Sequence, residues 1–154
     1  ASAGVNRQTF YYHFSDVYDL AAWVFEQEVG SHILRHASYD QWAEGFCTLL
    51  LYVQRNFDQV RAVLGSLSHR QRERFLTEQF RKMMEAIVSE LQGDLTLSSA
   101  ARQFVIDHYA ATVLGHFLLW FGDGAKSNPQ LLVQNIQIVL EGSVRQSLER
   151  LADG

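Results

Sequence analysis

The sequence predicts an all-α protein, and three observations carry that expectation. Apolar residues recur at the spacing of a helix face through most of the 154-residue chain. No alternation of apolar and polar residues is long enough for a strand. Proline occurs once, at Pro129, so long helices meet almost no obstruction.

Each element has local signals. Ala1–Ala3 reads as the tail of a helix stopped at Gly4. Asn6 can cap a short helix to about His13, since its side-chain oxygen accepts an orphan backbone N–H. Ser15 can cap the next helix, with Asp16 and Asp19 in its first turn, where carboxylates favour the helix dipole. That helix carries Leu20, Trp23, Val24, Phe25 and Ile33 and ends near His36. Ser38 and Gln41 have the spacing of a capping box before a helix with Trp42, Phe46, Leu49, Leu50 and Val53 on one side.

A break is expected at Asn56–Asp58, then a short helix over Gln59–Leu64 stopped at Gly65. Ser68 and Gln71 form a second capping-box pattern. The helix it opens is strongly amphipathic: Leu76, Phe80, Met83, Met84, Ile87, Val88 and Leu91 share a stripe, with Arg74, Arg81, Lys82, Glu85 and Ser89 away from it. Ser98 or Ser99 starts another helix, to about Phe121, with Phe104, Val105, Tyr109, Val113, Phe117 and Trp120 as its large-residue face and Ala111 and Gly115 as a small-residue edge. Asn128-Pro129, a capping residue followed by proline at the first helical position, opens a final helix expected to run unbroken to about Leu151.

Composition narrows the function classes. Apolar residues make up 47% of the chain, enough for a real core. No uninterrupted apolar run reaches the roughly 18–20 residues of a membrane span, so no membrane partner is expected. Cys47 is the single cysteine, which excludes an internal disulfide and suits a reducing cytoplasm; its neighbours Phe46, Leu49 and Leu50 mark it as a small core residue. The net charge of −4 argues against a surface coated in nucleic acid, yet leaves room for a small DNA-reading head on an acidic body.

The segment Val5–Phe14 has the composition of such a reader. Arg7, Gln8, Thr9, Tyr11, Tyr12 and His13 can all hydrogen-bond outward, and only Val5, Phe10 and Phe14 are plain hydrophobes, spaced to share a face. A short helix anchored at three points and polar elsewhere suits the major groove. Arginine pairs with guanine and glutamine with adenine edges, while tyrosine and threonine hydroxyls reach phosphates. Gly4 supplies the tight turn.

Residues Ala3 to Phe14, followed by Asp19-Leu20, resemble the helix-turn-helix signature of TetR (tetracycline repressor) family transcriptional regulators: an Ala-Gly-Val turn, then Thr-Phe-Tyr-Tyr-His-Phe. Tyr18–Glu28 and the pattern Trp120, Asp123-Gly124 are also similar to the subgroup resembling the dihydroxyacetone-kinase regulator. The resemblance implies that Arg7, Gln8, Tyr12 and His13 face base edges of a double-stranded DNA operator, and that Thr9 and Tyr11 hold phosphates. It implies a partial helix-turn-helix head with its connecting helix over residues 1–36, and a helical ligand-binding and dimerisation domain over 37–154. It further implies a homodimer built from the last two long helices, a small-molecule effector, and repression as the commoner output. Two departures stand out. Val17, after Asp16, occupies the place of a phosphate-touching lysine, and about 25–35 residues of head are expected before Ala1. One other reading of the chain is a helical co-regulator that binds partner proteins and no DNA, favoured by Val17 and the acidic total, and a second is a helical-bundle metalloenzyme, which metal analysis of the purified protein decides.

Candidate effector-lining residues are large, adaptable or polar ones on apolar faces: Trp23, Phe46, Tyr52, Phe80, Met83, Met84, Phe117 and Trp120, with His108 and His116 as polar handles. Asp107, His108 and His116 serve equally as groups of an internal or interface hydrogen bond. His32 and His36 have metal-ligand spacing but no identifiable third ligand, so neither metal nor cofactor is expected. His69, Arg70, Arg72 and Arg74 read as a solvated helix start. Nothing locates an activated serine, and the expectation is a protein without enzymatic activity.

Overall fold

The computed structural model describes Trp23 and residues 41–153. The reading segment at 5–14 and, apart from Trp23, the connecting helix lie outside the described residues. Among the described residues there are six helices and no strand, as the all-α expectation requires: α1 (Trp42–Arg55), α2 (Phe57–Gly65), α3 (His69–Gln92), α4 (Ser99–Gly122), α5 (Pro129–Leu140) and α6 (Ser143–Asp153).

Most helix ends follow the local chemistry. Gln41 precedes α1 as its cap residue and makes no side-chain capping bond there. Ser38, the other half of the expected capping box, lies outside the described residues. Asn56 ends α1 by donating from both its backbone N–H and Nδ2 to the Tyr52 carbonyl. The box at α3 is formed as expected: Ser68 Oγ accepts from the Gln71 N–H at 3.2 Å, and Gln71 Oε1 accepts from the Ser68 N–H at 2.9 Å. Ser98 caps α4 through the Ala101 N–H, and Asn128 caps α5 through the Leu131 N–H with Pro129 at the first helical position.

The end of α4 is a Schellman turn. Gly124 N–H donates to the Phe121 carbonyl and Ala125 N–H to the Trp120 carbonyl. Gly124 takes φ +89°, where glycine alone is unstrained, and Ala125 follows at φ 54° with its side chain buried. Two side chains fix the exit. Trp120 Nε1 donates to the Ser127 carbonyl, and Gln54 Nε2 reaches from α1 to the Ala125 carbonyl.

The expectation of one final helix to Leu151 is corrected. Glu141 leaves the helical region at ψ 120°, and Gly142 turns the chain at φ +75°. The turn carries α6 across α3 and α4. There the Tyr109 hydroxyl sits 2.7 Å from both Ser143 Oγ and Ser147 Oγ, and the Arg145 guanidinium donates to the Leu91 and Gln92 carbonyls at the end of α3. Those bonds satisfy C-terminal carbonyls of α3 that a straight final helix would leave without Arg145.

Helices α3 and α4 make the most extensive packing in the body and run antiparallel, as the pairings Arg81–Asp107 and Arg102–Ser89 require. Helix α1 packs on α5. An aromatic chain links the layers: Phe46 of α1 meets Phe80 of α3 edge-on at 5.9 Å, Phe80 meets Phe117 of α4 at 5.7 Å, and Phe121 meets Phe57 of α2 at 5.1 Å. The α3 stripe is buried as its periodicity predicts, except that Leu91 is half-buried. No buried polar or charged residue occurs among the described residues. Averaged over a window, α4 is apolar and long enough to cross a membrane by length and composition, a property that a search for unbroken apolar runs overlooks. Its buried residues Val105, Ile106, Tyr109, Val113 and Phe117 belong to the protein core.

Candidate functional site

A cavity of about 410 Å³ opens where α1, α3, α4, α5 and the start of α6 meet. Its floor is hydrocarbon: Trp42 from the first turn of α1, Met84 and Ile87 from α3, Val113 from α4 and Val144 from α6. Ile138 and Leu140 continue that wall along α5. Its rim is polar and comes from one face of α5, where Gln134, Gln137 and Glu141 follow the i, i+3, i+7 spacing. All three are exposed, and among the described residues none has a hydrogen-bonding or ionic partner. Arg145, one turn beyond Glu141, is committed to Glu149 at 2.8 Å and to the α3 carbonyls. Among the described lining residues Glu141 is therefore the one formal charge, and none is Lys, Arg or His.

The residues expected to line an effector cavity disperse in the fold. Met84 does line it. Phe46, Phe80, Met83, Phe117 and Trp120 are buried in the core, where they fill the space between helices. His108 is exposed, stacked on Phe104 and edge-on to Tyr109. His116 is half-buried on α4, Tyr52 packs partly buried against the core, and Trp23 is exposed. Asp107 pairs with Arg81 at 2.8 Å and accepts from Gln103, so it braces the α3–α4 pair. The glutamines and the glutamate that form the rim were passed over because α5 reads as a packing helix. The signal was their common face in an otherwise apolar segment.

A second, shallower cleft of about 470 Å³ lies at the far end of α1, between Phe57 and Arg61 of α2, Phe121 and Gly122 at the end of α4, and Gly124 and Lys126 just beyond it.

The outer face of α4 is uncovered. Phe104, His108, Ala111, Gly115, Leu118 and Leu119 follow one another at helical spacing, and Phe104 and Leu119 are 65% and 72% exposed. Helix α5 likewise exposes Leu131, Ile138 and Val139. Uncovered side chains of this size in register along a helix mark an interaction face. Gly115 has open space where a Cβ would stand, so the centre of the face is shallow enough for another backbone to approach.

Among the described residues no group of three His, Cys, Asp or Glu is placed to hold a metal ion. His32 and His36 lie outside them. Cys47 is half-buried against the core, and burial pushes its thiol pKa up, which suppresses the reactive thiolate. His69, Arg70 and Arg74 are exposed at the start of α3, and Arg72 donates to the Leu64 carbonyl.

The class of this helical body, with its cavity and uncovered apolar helix face, comes from sequence comparison. Residues 40–142 match the TetR-type family described as "Transcriptional regulator C-terminal region". The chain belongs to the TetR family of transcriptional regulators. It is also similar to the HTH-type dhaKLM operon transcriptional activator DhaS of Lactococcus lactis subsp. lactis (strain IL1403), with 26% identity over 117 residues, covering 73% of this chain and 60% of that protein. The chain thus spans less than two thirds of that relative's length. No solved structure matches.

Proposed function

We propose that the whole protein is a DNA-binding transcriptional regulator whose operator affinity is set by a small-molecule effector. The observation that carries this reading is the family match over residues 40–142, joined to the reader-like segment Val5–Phe14 upstream of it. In this reading residues 1–36 end the DNA-reading head and residues 37–154 form the sensor and dimerisation domain. Arg7, Gln8, Tyr12 and His13 face bases, and Thr9 and Tyr11 face phosphates. The protein acts as a homodimer in the cytoplasm, with neither a membrane partner nor enzymatic activity. Two copies associate through the uncovered faces of α4 and α5, which places two reading helices on a near-palindromic operator.

The effector occupies the cavity above the α3–α4 pair. This position supports coupling, because the cavity wall includes Trp42, the first residue of α1. A ligand shifts DNA affinity only by binding the DNA-competent and incompetent arrangements unequally. Repression is the output that the resemblance implies. The relative named above is an activator, which makes activation the competing sign.

The test is a gel shift of the full-length protein with its own upstream DNA at low salt, paired with a promoter–reporter assay in cells with and without the protein. A shift with a raised reporter in the deletion strain supports repression, and a lowered reporter supports activation. A well-folded protein that shifts no DNA overturns the reading in favour of a co-regulator. Val17 beside Asp16 favours that second reading, since a charged phosphate contact is missing there.

A further inference from the structure

The chemistry of the cavity wall goes further and selects a class of ligand. We infer that the cavity binds a small organic ammonium ion carried on a hydrocarbon body. This inference rests on the regulator reading for its consequence at DNA, and on the cavity alone for binding.

The argument is one of charge and donor balance. The floor of Trp42, Met84, Ile87, Val113 and Val144 offers no charge and takes hydrocarbon, which binding would remove from water. The rim offers the Glu141 carboxylate, which only accepts hydrogen bonds, and the Gln134 and Gln137 amides, which accept through oxygen and donate through NH2, so the charge of Glu141 decides the sign of the ligand. An ammonium group brings three donors and a positive charge, so it can satisfy the carboxylate and two amide oxygens together. An anion of the same shape meets Glu141 with no cation among the described lining residues to offset it. Trp42 adds an aromatic ring, a surface that attracts cations more strongly than neutral groups. Glu141 is not spoken for by Arg145, whose guanidinium is held by Glu149 and by the end of α3. The volume of about 410 Å³ lies within the range of small-molecule sites.

Glu141 also stands directly before Gly142, the residue at which α5 turns into α6. A ligand held there touches the joint between two helices and, through Trp42, the beginning of α1.

The test uses three probes of one shape: 4-phenylbutylamine, 4-phenylbutanol and 4-phenylbutanoate, titrated into the full-length protein by calorimetry. The amine should bind tightest, the alcohol about two- to fivefold more weakly, and the carboxylate more weakly again, since a partly exposed ion pair is worth up to about fivefold in affinity. Glu141→Gln should bring the amine to the level of the alcohol and leave the alcohol unchanged. Gln137→Glu should tighten the amine about two- to fivefold. Both positions are exposed, so neither variant threatens the core. The carboxylate binding as tightly as the amine, or amine affinity indifferent to Glu141→Gln, overturns the inference. A gel shift run in parallel separates the two readings. Amine binding without any DNA shift upholds the site and overturns the regulator. A DNA shift without amine binding does the reverse.

Discussion

Replacing Leu119 by arginine tests whether the outer face of α4 is where two copies meet. Leu119 is 72% exposed, and α4 packs on α3 through its opposite side. In an isolated subunit the substitution touches only water, and such changes alter stability by less than about 0.5 kcal/mol. In a two-fold dimer the side chain counts twice. Fully burying a leucine is worth about 2 kcal/mol, so covering the exposed 72% on each subunit contributes about 3 kcal/mol to association. Removing that contribution weakens the dimer roughly a hundredfold. Two facing arginines inside an apolar contact add repulsion and desolvation, so this figure is a lower bound. Sedimentation equilibrium of the full-length protein should show a concentration-dependent monomer where the parent is dimeric, with the far-ultraviolet circular dichroism unchanged. An unchanged dissociation constant would refute the assignment of this face, and so would dissociation accompanied by loss of helix.

Four further outcomes follow from the body itself. Tyr109→Phe removes a hydroxyl lying 2.7 Å from both Ser143 Oγ and Ser147 Oγ, and should lower stability by about 1–2 kcal/mol in urea titrations; a neutral result would mean water replaces it freely. Ser68→Ala opens the capping box of α3 and should cost about 1 kcal/mol in the same titrations, with Ser68→Asp largely restoring it. Gly142→Ala forces an alanine to φ +75° with nothing within 4 Å to clash, so the expected loss of about 1–2 kcal/mol is backbone strain alone; Gly65→Ala, in open space at a helix end, is the control and should lose nothing. Cys47 should alkylate with iodoacetamide more slowly at neutral pH than a free cysteine, because burial raises its pKa, with the rate climbing as pH rises towards that value. A rate at pH 7 equal to that of glutathione would contradict it.

The helices were legible because their signals are local. Ser68 with Gln71, Ser98, Asn128 with Pro129, and Asn56 each act on neighbours within a turn, and each does so in the fold. The α3 stripe was legible because its burial follows from period alone. Lining and filling residues have the same composition, so Phe80, Met83 and Phe117 could be assigned to an apolar interior but not to its cavity. Which buried side chains face a void depends on how five helices diverge, and no window of sequence contains that. His108 lies exposed for a related reason: α4 carries apolar residues on both its core face and its outer face, so an apolar neighbourhood in sequence does not imply burial.

The break at Gly142 connects these points. Val133, Ile136, Leu140, Val144 and Leu148 keep helical spacing across it, so the pattern alone supports one straight helix. The competing forces are long-range: Arg145 meeting the end of α3, and Tyr109 meeting Ser143 and Ser147. Both require α6 to lie across the α3–α4 pair, a course the turn at Gly142 permits. The same turn leaves Glu141 at the cavity rim with no partner among the described residues, and with Ile138 beside it, shared between the cavity wall and the exposed face of α5. A ligand at Glu141 and a second subunit on Ile138 and Val139 would therefore act on one short stretch of helix. Occupancy of the cavity should alter the dimer dissociation constant, and the dimer should alter ligand affinity by the same factor.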